Sequence, residues 1–359
     1  MSKRVLVLMV SPAVRLGGGI IQVILNYKNQ LDKVKIDFDY AINIEEDEKL
    51  IEDLTANGGK WIQIPHKKRQ YLNYLKAIWK LCEQGKYDAI HIHGNSATML
   101  PEVWIAKRCG ITKRIVHCHN SQGGHPIVNK LLVMYFRTLY TDALACSKRA
   151  GNWLFGENKF TIIHNAIDLN RFSFSVNYRN SCRKELNISG NCLLLGHVGS
   201  FNEQKNHSFL VDIFYDIQKR TDVELILIGT GELLEQIVDK CNRLGILQKV
   251  HFLGMRNDVE KWLCAMDVFV FPSKWEGLGM VAIEAQATGL PVLASTEVPQ
   301  EACLTPYMKF LSLEQNAQFW ADSVLEISKL NKSRKVDREM FSDYDISRES
   351  KKLQSLYEN

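Results

Sequence analysis

The chain has 359 residues, 46% of them hydrophobic and 24% charged; this is too long for one ordinary core and suggests two globular domains rather than a disordered or fibrous chain. No apolar run approaches the ~20 residues of a membrane span, and nine cysteines, an odd number with no C-x-x-C pair, point to reduced thiols in the cytoplasm rather than to disulfides. The net charge of +5 is unevenly placed: residues 1–180 carry 25 Lys/Arg against 15 Asp/Glu and the remainder 20 against 25, so the N-terminal half could meet an acidic surface such as a membrane leaflet.

Apolar strand-like runs alternate with helix-period segments, the pattern of parallel α/β layers. The first run, Val5–Val10, is too short for a signal peptide's apolar core and reads as a buried strand. Gly17-Gly18-Gly19 then leads into a helix over Ile20–Leu31. Consecutive glycines at a helix start let a backbone approach an anion, although the dinucleotide spacing G-x-G-x-x-G is absent. A plain tight turn is the simpler alternative.

Further strands are expected at Ile36–Ile42, Ala89–His93, Arg114–Cys118, Ala143–Ser147 and Phe160–His164. Between them, His66–Leu81 is basic, aromatic and helix-periodic, suited either to packing on its own sheet or to lipid headgroups. No recognised nucleic-acid motif accompanies the basic residues, so nucleic acid is not an expected partner. Five of the ten histidines (His91, His93, His117, His119, His125) fall within 35 residues. They form i, i+2 pairs at strand ends without a carboxylate or cysteine pair at metal spacing, so no metal is expected. Of these, His119 is the candidate for facing a ligand.

A polar, irregular stretch follows, and a second α/β series begins at Leu193–Val198. The next segment, Gly199-Ser200-Phe201-Asn202-Glu203-Gln204-Lys205-Asn206, precedes a helix over Ser208–Lys219. A lysine at a helix N-terminus is unfavourable by the dipole unless an anion partners it, and a diphosphate would supply that anion. Strands Val223–Ile228, Val250–Leu253, Val268–Phe271 and Val292–Ala294 complete the series.

Between the last two lies Lys274-Trp275-Glu276-Gly277-Leu278-Gly279-Met280-Val281-Ala282-Ile283-Glu284. Gly279, Met280 and Val281 fall where a helix begins past a strand's carboxyl end, a place for phosphate. Glu276 falls in the loop and Glu284 in the helix. Two solvated glutamates are the bland alternative. Ligands of doubly wound sheets bind beyond the strand carboxyl ends, and four candidate loops share that position.

The expected fold class is therefore α/β, with two doubly wound, Rossmann-like domains facing each other across a cleft. Residues 1–170 form the first, 171–190 a linker and 191–343 the second. A closing helix over 344–357 packs back on the first.

With these residues assembled, nearly the whole chain resembles the retaining glycosyltransferases of family 4, which have the GT-B architecture. The resemblance rests on Gly17-Gly18-Gly19, His119, Gly199 through Lys205-Asn206, Gly229-Thr230-Gly231-Glu232, Phe252 through Val259, and the Glu276…Glu284 motif with Gly289-Leu290-Pro291-Val292. The segment His117-Cys118-His119-Asn120-Ser121 looks like the branch that builds bacterial capsular and exopolysaccharides. The resemblance implies an acceptor domain first and a nucleotide-sugar donor domain second. Glu284 would hold the ribose hydroxyls, Glu276 and His119 the donor sugar, and Arg256 the base pocket. Lys205 and the backbone N–H groups of Gly18, Met280 and Val281 would neutralise the diphosphate. Gly17, Gly199 and Gly279 would let the backbone approach it.

The same resemblance implies a hexosyltransferase that retains anomeric configuration and needs no cofactor and no essential metal. Its donor would be a nucleotide sugar, a UDP-sugar by preference, and its acceptor a glycan or lipid-linked glycan in cell-surface polysaccharide synthesis. It would work in the cytoplasm, with peripheral contact at the anionic inner face of the plasma membrane. One departure stands out: Ser200 occupies a position where the family usually has arginine, and Arg15 could substitute. The alternatives are a catalytically weak partner subunit of polysaccharide assembly, a sugar-nucleotide epimerase of the same architecture, and a glycosidase using paired carboxylates.

Overall fold

The computed structural model describes residues 2–10, 19–44, 47–56, 58–120, 126–330 and 333–358. The chain divides into two compact units, Met1–Ala166 with Asp343–Asn359, and Ile167–Ser342.

The first unit holds β1 (Lys3–Met9), α1 (Gly19–Gln30), β2 (Ile36–Ala41), α2 (Glu48–Thr55), β3 (Lys60–Ile62), α3 (Tyr71–Gln84), β4 (Ala89–Gly94), α4 (Leu100–Arg108), β5 (Lys113–Cys118), α5 (Pro126–Phe136), β6 (Asp142–Ala145), α6 (Lys148–Phe155) and β7 (Thr161–Ile162). Its seven strands are parallel, in the order β3-β2-β1-β4-β5-β6-β7. The order reverses at β1, as in a doubly wound sheet. Alternate side chains feed two cores. Leu6, Leu8, Ile90, Ile92 and Val116 pack under α3–α6, while Val5, Val7, Met9, Ile115 and Leu144 pack under α1 and α2.

The second unit holds α7 (Val176–Glu185), β8 (Leu193–Val198), α8 (His207–Gln218), β9 (Val223–Ile228), α9 (Leu234–Arg243), β10 (Val250–Phe252), α10 (Val259–Ala265), β11 (Val268–Phe271), α11 (Met280–Ala287), β12 (Val292–Ser295), β13 (Met308–Leu311) and α12 (Ala317–Ile327). Its six strands are parallel, in the order β10-β9-β8-β11-β12-β13, with the reversal at β8. The chain ends in α13 (Ile346–Glu358), which gives Ile346, Leu353 and Tyr357 to the α1-side core of the first unit. Both units are thus Rossmann-like.

The segment 171–190, expected as a linker, contains α7. That helix packs on α10, and Arg179 and Arg183 both reach Asp267 (2.7 and 3.2 Å). The division falls before Ile167 instead. The strand expected to run to Ser147 stops at Ala145, because Ser147 caps α6 by accepting from the Ala150 N–H.

Candidate functional site

In the second unit the loop after β8 is laid against the loop after β9. The N–H of Gly199 donates to Ile228 O (2.9 Å), that of Phe201 to Thr230 O (2.9 Å), and that of Leu233 to Phe201 O (2.9 Å). Only glycine permits this approach: a Cβ on Gly229 (φ +136°) would lie 2.1 Å from Gly199 O, and one on Gly231 2.5 Å from Phe201 O. The Lys205 stem lies over Gly199, where a Cβ would meet three of its carbons at 3.0 Å. Asn202 accepts from the Lys205 N–H (3.2 Å), and Asn206, at φ +55°, donates its side-chain amide to Pro272 O (3.1 Å). The Lys274 N–H donates to Gln204 O (2.8 Å). These bonds fix the Lys205 loop to the Glu276 loop.

The two candidate residues then hold each other. Lys205 Nζ lies 2.6 Å from Glu276 Oε1 and 4.9 Å from the centre of the Phe271 ring, while Gln204 Nε2 donates to Glu276 Oε2 (3.2 Å). The Glu276 side chain is 6% exposed and that of Lys205 16%. Truncating one partner of a pair this buried leaves the other charge uncompensated. The dipole argument gave Lys205 a diphosphate and the family resemblance gave Glu276 the donor sugar; the fold makes the two residues one charge-paired unit.

Helix α11 begins as the sequence suggests. Gly279 is its N-cap in the left-handed region (φ +82°, ψ 51°), so no cap side chain covers the N–H groups of Met280 and Val281. Glu284 sits one turn further on and is half-buried. Burial raises its carboxyl to about 7; Arg171 opposes the shift and Glu260 reinforces it. Arg171 itself clamps Glu260 (2.8 and 3.1 Å) and the Asn257 carbonyl (2.7 Å). Neither Arg171 nor Glu260 stood out in the sequence, since Arg171 lies in the stretch read as a linker. Arg256 makes a two-pronged pair with Asp258 (2.9 Å each) and lies over the Trp262 ring, and Ser200 is exposed. Lys205, Arg171 and Arg256 therefore each carry a carboxylate partner, whereas among the described residues no side chain caps the N–H groups at the start of α11, where the helix dipole is positive.

In the first unit, Gly17, Gly18 and Arg15 lie outside the described residues. His119 follows β5 and is 8% exposed. Its Nε2 lies 2.8 Å from His93 Nδ1, and its Nδ1 3.3 Å from Asn165 Oδ1. The amide oxygen only accepts, so Nδ1 of His119 carries the proton and Nε2 accepts from His93. Burial pushes its pKa down to about 4, so the ring is neutral at physiological pH. The stack continues inward. His91 faces His93 at 4.1 Å with planes 26° apart, and the Nδ1 of His91 meets the Tyr357 hydroxyl at 2.5 Å. Ring nitrogens of His91, His93 and His117 come within 4.8 Å of one another. Their ring planes lie 10° to 35° apart, and burial holds all three well below the ordinary imidazole pKa.

Comparison with known proteins places these features in a family. Residues 17–171 match the family model described as "Glycosyltransferase Family 4", and residues 193–329 the one described as "Glycosyl transferases group 1". The putative glycosyltransferase EpsF of Bacillus subtilis is 28% identical over 86% of this chain and 84% of its own length. A UDP-Gal:alpha-D-GlcNAc-diphosphoundecaprenol alpha-1,3-galactosyltransferase of Escherichia coli is 28% identical over 62% of this chain and 61% of its own. Among solved structures, Anabaena HepE in complex with UDP aligns with a TM-score of 0.77 over 98% of this chain and 99% of HepE, at 17% identity. The glycosyltransferase WaaG aligns at 0.66 over 98% and 96%, at 15% identity. The structural likeness shows the GT-B fold. The chain thus carries a glycosyltransferase family 4 domain over residues 17–171 and a glycosyl transferases group 1 domain over residues 193–329, with relatives matching across the junction.

Proposed function

We propose that the chain is a hexosyltransferase that moves a sugar, with retention of configuration, from a nucleotide-diphosphate donor to a glycan or lipid-linked acceptor in cell-surface polysaccharide synthesis. The observation that carries this reading is the Lys205–Glu276 pair, held by the Gly199–Asn206 loop and grouped with the uncapped start of α11 and Glu284 in one donor-type unit. The relatives support a UDP-sugar: HepE was solved with UDP, and the Escherichia coli relative is named for UDP-galactose and a diphosphoundecaprenol acceptor.

The proposed mechanism follows from where charge develops. As the glycosyl–phosphate bond breaks, the diphosphate gains negative charge. Lys205 and the N–H groups of Met280 and Val281 stabilise it most at that moment. Lys205 leaves Glu276 for the diphosphate, which frees the Glu276 carboxylate to accept from the sugar hydroxyls. Glu284 grips the ribose. The sugar contact that the family resemblance implies for His119 requires one ring nitrogen to exchange its present partner, since Nε2 meets His93 and Nδ1 meets Asn165. The leaving diphosphate takes the acceptor proton, so neither a protein nucleophile nor a divalent cation is required. The basic first domain agrees with work at the cytoplasmic face of the plasma membrane.

The test is turnover of labelled nucleotide sugars with a lipid-linked acceptor, the product anomer read by NMR, with and without EDTA. Lys205→Ala and Glu284→Ala should each lower turnover at least about tenfold with the fold intact. Near wild-type rates in both variants would remove the assigned site, and release of free sugar alone would refute transfer.

A further inference from the structure

A cleft of about 410 Å³ lies in the first unit, beyond the carboxyl ends of β2 and β3. It is lined by Asn43 after β2, by Gln63 and Ile64 after β3, and by His66, Arg69 and Gln70 of the turn that leads into α3. Its walls are fixed from below. The Ile44 N–H donates to Gln63 Oε1 (3.2 Å) and Trp61 Nε1 to Ile42 O (3.0 Å), which ties the two strand ends together. Lys67 anchors the turn: its ammonium donates to Glu102 Oε1 (2.6 Å) and to Thr98 O (2.8 Å), and the Tyr74 hydroxyl donates to the same carboxylate oxygen (2.8 Å). Glu102 is fully buried. A buried ion pair gains little net stability, and none of the transfer chemistry proposed above reaches this one. Its effect is to hold the turn and the start of α3 in one place.

The groups that this frame presents are open. Asn43 is 5% exposed, and its Oδ1 has no hydrogen-bond partner among the described residues. An amide buried without a partner carries a cost that a bound ligand relieves. Its terminal torsion is broad, so the amide turns either its oxygen or its nitrogen toward the cleft. Nδ1 of His66 accepts from the Lys68 and Arg69 N–H groups (3.1 and 3.2 Å), so the proton of the neutral ring is on Nε2. Arg69 is exposed and, unlike Arg171 and Arg256, has no carboxylate partner among the described residues. Gln70, the N-cap of the 14-residue α3, makes no side-chain cap hydrogen bond, so the positive end of that helix is uncapped. Guanidinium, imidazole N–H and helix start are all donors, and together they match the oxygens of a phosphoryl group. Asn43, which both donates and accepts, matches a sugar hydroxyl beside it.

The cleft shares the carboxyl edge of the sheet with His119, which follows β5. Three strand spacings separate β5 from β2 and four separate it from β3, or about 14–19 Å. A group in the cleft is therefore too far away to be the hydroxyl that attacks a sugar beside His119. It belongs to a more distant part of the same acceptor.

We propose that this cleft is a remote acceptor subsite that binds a sugar-borne phosphoryl group, with Arg69, His66 and the start of α3 on the phosphoryl oxygens and Asn43 on a neighbouring hydroxyl. The proposal rests on the reading of the chain as a transferase with a glycan acceptor, and deepens it by naming residues that select that acceptor. Its failure and the failure of that reading are separable, because binding in the cleft is measured without turnover.

The test is isothermal titration of the full chain with glucose 1-phosphate, beside glucose and inorganic phosphate. A parallel series uses Lys205→Ala, which lacks the lysine assigned to the donor diphosphate. In both proteins glucose 1-phosphate binds saturably and at least about tenfold more tightly than glucose or inorganic phosphate, and amide exchange slows in the peptide covering residues 63–74. Arg69→Ala weakens this binding about tenfold, as loss of a charge-assisted contact requires. Asn43→Asp, which sets a like charge beside the phosphoryl group, weakens it as well. Arg69 is exposed, so the alanine variant keeps the wild-type melting temperature and UDP binding. In turnover Arg69→Ala raises the acceptor KM about tenfold and leaves kcat and the donor KM within about twofold. Two competitors locate the phosphoryl group. Displacement by a sugar joined through diphosphate to a short prenyl chain places it at the lipid link, and displacement by glucose 6-phosphate places it within the glycan. Displacement by neither, undiminished binding in Arg69→Ala, or equal affinity for inorganic phosphate would each overturn the proposal.

Discussion

Glu284 has a folded-state pKa of about 7 against an ordinary carboxyl near 4.5, chiefly because the protein around it excludes water. The sign of the shift sets how it acts. Between pH 4.5 and 7 the folded chain binds more protons at this site than the unfolded one, so stability falls as pH rises through that window and is flat above it. Glu284→Gln removes the penalty. The variant should match the wild type near pH 4.5 and exceed it by about 1–3 kcal/mol at pH 8, as read from urea unfolding at both values. A gap independent of pH would contradict the burial of this carboxyl. The same residue shows what spacing alone can reveal. Its position in the helix was legible, because glycine before a short apolar run marks the start of α11. Its environment was not, since Arg171 and Glu260 come from segments more than 100 and 20 residues away. The Lys205–Glu276 pair was hidden for the same reason: 71 residues separate its partners.

At the scale of elements, most strands were legible because strands buried on both faces read as continuous apolar runs. The exceptions are informative. β3 is three residues long and starts on the exposed Lys60, and β13 is an edge strand with one buried residue in four. Neither offers the apolar run that marks a central strand. Helix α7, VNYRNSCRKE, buries only Cys182 and Arg183 and is held by arginine contacts rather than by an apolar stripe, so it read as a linker. Helix α11 depends on a backbone state. Gly279 sits at φ +82°, and a Cβ there would meet the Phe271 ring at 3.0 Å and Val298 at 3.3 Å. Gly279→Ala should therefore cost about 1–2 kcal/mol, from the left-handed conformation and the crowding together. Urea unfolding measures the cost, and the same variant should weaken UDP binding, because α11 starts at the N–H groups assigned to the diphosphate. Unchanged stability would mean that the helix start relaxes away from this geometry.

For the whole molecule, the two units differ in how chain order maps onto core. The second is one continuous segment, Ile167–Ser342, whereas the first is closed by a segment that arrives only after the second has been made. Helix α13 is more than a cover. Ile346, Leu353 and Tyr357 are at most 3% exposed in the α1-side core. The Tyr357 hydroxyl meets His91, Glu349 accepts from the His164 N–H (2.9 Å), and the Lys113 ammonium donates to the Leu356 carbonyl. Burying three such side chains is worth about 1.5–3 kcal/mol each, against a total stability of roughly 5–15 kcal/mol for a domain. A fragment of residues 167–342 should therefore fold cooperatively alone, while residues 1–166 alone should show a broad, low-temperature transition. A peptide of residues 343–358 added in trans should restore a sharp one. His91 sharpens the test, because without α13 its Nδ1 loses the Tyr357 hydroxyl beside two histidines already driven neutral by burial. Full stability of residues 1–166 without the peptide would show that the α1-side core closes by other means.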